Sequence, residues 1–258
     1  MPTSVSIDEH LAGIETAGER LLEVALTAGL QARVPTCPAW TVDALVAHQV
    51  MVHRWATAHV RGDDPAEVPN QTELRRTVAD LPTYYQDGLG GLLAALRAAP
   101  DDLEAMTFLK DAPPPRRFWA RRQCHETTIH MVDALAAAKG GLPTIDEAAV
   151  DNALAVDGID ELLRGFFTRG KSKLYDGEAF AVAVVPTDAD RRWLLHVDER
   201  LTVEPGDPPP EGDGAAATIS GSAPALYLAL WNRGDEVEVT GRSELLDHWR
   251  ATQRVTWS

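Results

Sequence analysis

The stretch from Arg116 to Ala138, RRFWARRQCHETTIHMVDALAAA, constrains the fold more than any other. Pro113, Pro114 and Pro115 stand before it, where a helix start tolerates proline. Gly140, Gly141 and Pro143 stand after it, where a helix stops. Between them Phe118, Cys124, Ile129, Val132, Leu135 and Ala136 recur at three- and four-residue steps, which predicts a helix. Glu126 and His130 are four apart on it, so their side chains share one face, a turn apart. A carboxylate and an imidazole so placed can grip one divalent metal ion, with a third ligand from another helix.

The preceding segments supply such helices. From Ile7 to about Leu30, Leu11, Ile14, Leu21, Leu22, Val24, Ala25 and Ala28 repeat at helical steps, and Gly29 closes the run. VPTCPAWT, Val34 to Thr41, carries two prolines and breaks the helix; Thr41 is placed to N-cap the next one, with Asp43 in its first turn. That helix, about Val42 to Val60, holds His48, His53 and His59. His48 lies on the line of Leu45, Val52 and Trp55 and so faces the interior; His53 lies on another line, with Val46 and Gln49. A lone histidine on such a face is ordinarily a core residue bonded to a carbonyl. The Glu-His pair on a second helix favours a functional reading, because buried ionisable groups are costly unless paired or metal-bound. From Gln71 to Ala99 a further helical region runs through Leu74, Val78, Leu81, Tyr85, Leu89, Leu92, Leu93 and Leu96, and Pro82 must kink or split it. The expected architecture of the first 140 residues is a four-helix bundle, whose core is where such metal sites are built.

After about residue 144 the pattern changes. A fifth helix is expected over Ile145 to Thr168, with Val150, Leu154, Ile159, Leu162, Leu163 and Phe166 as its apolar set and Gly170 at its end. Ala179 to Thr187 and Arg191 to Glu199 read as a β-hairpin, Pro205 to Gly214 as an exposed loop, and Ala215 to Gly221 as a strand. Ser222 to Arg233 reads as a helix N-capped by Ser222, Glu236 to Gly241 as a strand, and Ser243 to Trp249 as a short last helix. The expectation is a two-domain α+β chain: a helical bundle over 1–144 and a small α+β domain over 145–258 with a leading helix at 145–168.

The formal net charge of −15 argues against nucleic acid as a general partner, although arginines grouped locally can still take an anionic substrate. Two cysteines, Cys37 and Cys124, are too few for a disulfide framework and fit a reduced, cytoplasmic protein. MPTSVSIDEH carries no basic apolar signal, and no run approaches the length of a membrane span.

The segment VPTCPAWTVDALVAHQVMVHRWA, followed by RRQCHETTIHMVDALAA, resembles the mycothiol-dependent maleylpyruvate isomerase family of actinobacteria, within the wider DinB-like four-helix superfamily. The stretch GSAPALYLALWNRG and the later EVTG resemble that family's sterol-carrier-like C-terminal domain. The resemblance implies a zinc ion, or another divalent metal, held by His48, Glu126 and His130, with mycothiol as the thiol cosubstrate. It also implies that Arg233 stabilises charge developing on the substrate; read without the resemblance, Arg233 is a surface arginine complementing its helix dipole.

Three protein ligands leave a tetrahedral metal one open position, which suits either an activated water or a bound thiol. The family resemblance favours the thiol. The expected partners are then a low-molecular-weight thiol and a small electrophile, and the reaction is cis–trans isomerisation of the maleylpyruvate type or S-transfer. The alternatives are a small-ligand-binding protein with a vestigial metal site and a metal-dependent hydrolase. Arg116, Arg117, Arg121 and Arg122 read either as carboxylate binders or as a solvated helix face, the face being favoured for at least two. Cys37 and Cys124 read as possible metal ligands, with burial as a small apolar group favoured for Cys37. His53 reads as a partner behind the ligands, a proton shuttle or packing, packing being favoured. His125, about 100° around the helix from Glu126, does not share the metal, and Trp40 and Trp55 read as core residues or pocket lining.

Overall fold

The computed structural model describes residues 4–204 and 214–255; the Pro205–Pro210 part of the expected exposed loop, and the residues on to Asp213, lie outside that range. The chain divides into two units. One comprises Val5–Phe108 and Ala112–Pro143; the other is built on Thr144–Ser258 with the short segment Leu109–Asp111.

In the first unit the elements begin and end where the capping chemistry falls. Helix α1 (Ile7–Ala28) opens on a capping box between Ser6 and Glu9 and closes at Gly29 with φ at 86°. Helix α2 (Val42–Arg61) starts after Thr41, whose hydroxyl donates to the Asp43 carboxylate and makes no side-chain bond to the helix backbone. The long third region is two helices, α3 (Gln71–Thr77) and α4 (Leu81–Ala98). Pro82 sits in the first turn of α4, and Asp80 caps it by accepting from the Thr83 amide. Helix α5 (Pro115–Lys139) ends at a left-handed Gly140. Helix α1 packs along α5 and α2 along α4, with further contact between α2 and α5. These four helices form the bundle, and α3 is an additional short helix beside α2. Helix α5 is buried almost all round, from Phe118 to Ala134 without a break. That is the position of a central helix.

In the second unit the expected single leading helix is broken. A capping box between Thr144 and Glu147 starts α6 (Ile145–Ala148), which ends on Ala149 in the left-handed region at φ 49°. Asp151 then caps a new helix, α7 (Asn152–Asp160), accepting from the amides of Ala153 and Leu154. A π-helical turn, Glu161–Phe166, continues it. The sheet has the order β3-β2-β1-β4-β5. Its strands are β1 (Phe180–Pro186), β2 (Trp193–Val197), β3 (Thr202–Val203), β4 (Ala217–Gly221) and β5 (Glu238–Thr240). β1 and β2 form the expected antiparallel hairpin, and β4 joins β1 in parallel. Helix α8 (Ala223–Leu230) crosses between β4 and β5, with the Ser222 hydroxyl accepting from the Ala225 amide; α9 (Leu245–Thr252) is the last helix among the described residues. Among the described residues no helix is long and apolar enough to cross a membrane.

Candidate metal centre

The helical step of α5 puts Glu126 and His130 one turn apart, and the packing of α2 on α5 brings His48 to the same point. All three side chains are buried: His48 is 5%, Glu126 4% and His130 8% exposed. His48 Nε2 lies 3.3 Å from Glu126 Oε1, and His130 Nε2 lies 3.2 Å from the same oxygen. One donor atom from each residue falls within 4.8 Å of the other two. A tetrahedral metal with bonds of about 2.0–2.1 Å has ligand–ligand edges of about 3.3–3.4 Å. Two imidazole nitrogens and one carboxylate oxygen at these separations fit a divalent cation in both donor chemistry and size.

Each donor is also held from behind. Arg122 Nη2 donates to Glu126 Oε2 at 3.1 Å, leaving Oε1 to face the two histidines. His130 Nδ1 is bonded to Asp133 Oδ2 at 2.8 Å, so its Nε2 is the atom turned to the centre. The Trp40 ring packs against both His48 and His130, with centroids 4.8 and 5.7 Å away.

The protonation states follow from these contacts. Burial pushes His48 below its ordinary value, against the opposing bond from Glu126, and keeps it neutral. Burial opposes the charge on His130 as well, but Asp133 and Glu126 on its two sides outweigh it and push it up to about 9. Burial would raise Glu126; its bonds with His130 and His48, with the His130 and Arg122 charges, instead hold it well below the carboxylate range. The pocket between Glu126 and Asp133 therefore favours a positive charge.

The other residues singled out in the sequence fall elsewhere. Cys37 and Cys124 are absent from the donor cluster, and Cys124 is fully buried. Cys37 is not simply an apolar filler: it is half-buried and its thiol donates toward Asp133. His53 is fully buried, with Nε2 3.0 Å from Thr127 Oγ1 and 3.3 Å from the Gln49 amide. His125 is buried edge-on to His10, outside the His48–Glu126–His130 cluster. Trp55 packs among His59, Phe108 and Trp119.

The arginines do not form a solvated face. Arg121 and Arg122 are each 1% exposed. Arg116 pairs with Asp101, and Arg117 donates to the Val5 carbonyl. Central placement of α5 overrides the usual exposure of arginine, and the i,i+4 step from Arg122 to Glu126 was the available signal. The i,i+3 step from His130 to Asp133 was the corresponding signal for Asp133. Arg233 lies in the second unit just past α8, half-buried, with Nη1 donating to the Trp231 carbonyl at 2.7 Å.

Residues 11–135 match the mycothiol maleylpyruvate isomerase N-terminal domain, and residues 153–248 match the MDMPI C-terminal domain. No curated protein matches the chain by sequence. Among solved structures, the mycothiol-dependent maleylpyruvate isomerase is similar over 99% of this chain and 100% of its own, at 15% identity and a TM-score of 0.66. A histidine-to-alanine mutant of the mycothiol-dependent maleylpyruvate isomerase is similar over the same shares, at 14% identity and a TM-score of 0.64. At such identities the likeness establishes the fold. With the bundle and the α+β unit each matched by a family domain in chain order, the chain belongs to the mycothiol maleylpyruvate isomerase family, a family of enzymes.

Proposed function

We propose that this protein is a zinc- and mycothiol-dependent enzyme that adds a thiol to a small electrophile. The reaction is completed either by bond rotation and loss of the thiol, a cis–trans isomerisation of the maleylpyruvate type, or by retention of the thiol, an S-transfer. The observation that carries this reading is the buried convergence of His48, Glu126 and His130. When bound there, a divalent cation supplies Lewis acidity that favours a thiol in its thiolate form at neutral pH.

The chain's own residues do the rest. Glu126 and the two imidazoles bind the cation. Arg122 and Asp133 orient the donors, and Trp40 covers the histidine rings on one side and restricts water there. Arg233 is assigned the task of meeting negative charge as it develops on the electrophile. We place the boundary between the metal-binding domain and the α+β domain at residue 144.

Turnover of maleylpyruvate, assayed with and without mycothiol and with and without divalent metal, tests the reading. The expected result is activity that requires both. Arg233→Ala should cut turnover by about 10²-fold, the scale for losing one group that stabilises developing charge, while leaving metal content unchanged. Turnover that proceeds equally well without thiol contradicts the proposal and favours hydrolysis by activated water.

A further inference from the structure

The Val34–Thr41 loop meets the ligand helix at one carboxylate. Asp133 is fully buried, and its two oxygens meet Thr36, Cys37 and His130. Oδ1 accepts from Thr36 Oγ1 at 2.5 Å, and Oδ2 accepts from the Cys37 thiol at 3.6 Å while bonding His130 Nδ1 at 2.8 Å. A carboxylate this deeply buried needs hydrogen-bond donors, and the loop supplies two of them. The loop holds its own shape through bonds from the Val34 amide to the Trp40 carbonyl, from Cys37 to Val34, and from Trp40 to Cys37. An Arg33–Thr41 bridge closes its base. The same loop presents Trp40 to the rings of His48 and His130.

We propose that Thr36, Cys37 and Asp133 form a positioning relay, through which the Val34–Thr41 loop sets the affinity of the metal centre without contributing a ligand. The proposal rests on the reading of His48, Glu126 and His130 as metal ligands. Thr36 and Cys37 hold Asp133 in one rotamer. Asp133 holds His130 by Nδ1, and His130 Nε2 is thereby fixed beside Glu126 Oε1. Removal of the Thr36 hydroxyl takes away the 2.5 Å bond to Asp133 Oδ1 and weakens the hold on the carboxylate that orients His130. A bond to the far side of a ligating histidine typically governs 10- to 100-fold in metal affinity.

The test is a titration of the full-length, chelator-treated protein with Co2+, reading both the dissociation constant and the visible absorption band of the bound ion. Circular dichroism monitors the fold. The expected result is that Asp133→Asn and Thr36→Val each weaken Co2+ binding about 10- to 100-fold and alter the band. Thr36→Ser, which keeps the hydroxyl, should retain wild-type affinity and spectrum. Because Thr36 is half-exposed in a loop, Thr36→Val decides the matter if Asp133→Asn does not fold. Wild-type affinity and spectrum in Thr36→Val, alongside lost binding in His130→Ala, overturn the relay and leave the metal reading standing. No Co2+ binding by the wild type, or unchanged binding by His130→Ala, overturns both.

Discussion

His53 shows what full burial does to a single side chain. It sits in the bundle core bonded to Thr127 and Gln49, and burial pushes its pKa down to about 3. A histidine whose folded-state value is depressed binds fewer protons folded than unfolded. Its stabilising contribution is complete above about pH 6.5, is lost progressively as pH falls below that value, and is gone below about pH 3. Between pH 7 and pH 5 the wild type should therefore lose about 2 kcal/mol more stability than His53→Gln, read from urea midpoints on metal-free protein. The opposite ordering, or no difference, contradicts a neutral core histidine. Sequence made the cluster legible because Glu126 and His130 share a face by their spacing alone, and His48 follows from the family motif. Arg122 and Asp133 were not legible in their roles. Each is an ordinary charged residue on a helix, and only the burial of α5 makes its partner obligatory.

Elements were legible where the chain carries its own punctuation. Gly29 and Gly140 mark two helix ends, and Ser222 marks a helix start. An apolar pattern that runs on across a break conceals it. Leu154, Ile159 and Leu162 suggested one helix from Ile145, but Asp151 caps a new helix inside it. β3, only two residues long, is too short to show alternation. Two glycines separate conformational strain from steric exclusion. Gly62 and Gly241 both have positive φ, 77° and 83°. A Cβ on Gly62 meets nothing within 4 Å, whereas on Gly241 it would lie 2.2 Å from the Ala216 carbonyl oxygen and 2.9 Å from Ala217 Cα. Backbone cannot yield there as a side chain can. Gly62→Ala should cost about 1–2 kcal/mol, the left-handed penalty alone. Gly241→Ala should cost about 2–4 kcal/mol, with steric overlap added. Denaturant unfolding of the two variants checks this, and equal costs would contradict it.

At the scale of the whole molecule, the acidic balance and the site are independent facts. The net charge of −15 is carried by a chain that also buries Arg121 and Arg122 in the bundle. Net charge describes the summed field, while local charges such as Glu126 and Asp133 set the field at the cluster itself. The two family domains cover the two units in sequence order, which places the His48–Glu126–His130 cluster in the first and Arg233 in the second. The proposed chemistry depends above all on His48, Glu126 and His130 holding a divalent cation. Metal analysis of the purified full-length protein, together with His48→Ala, Glu126→Gln and His130→Ala, tests that most directly. The predicted result is about one divalent ion per wild-type chain and a large loss in each variant whose fold is intact by circular dichroism. Metal-free wild type after growth and purification with added zinc, or wild-type metal content in the folded variants, would contradict it.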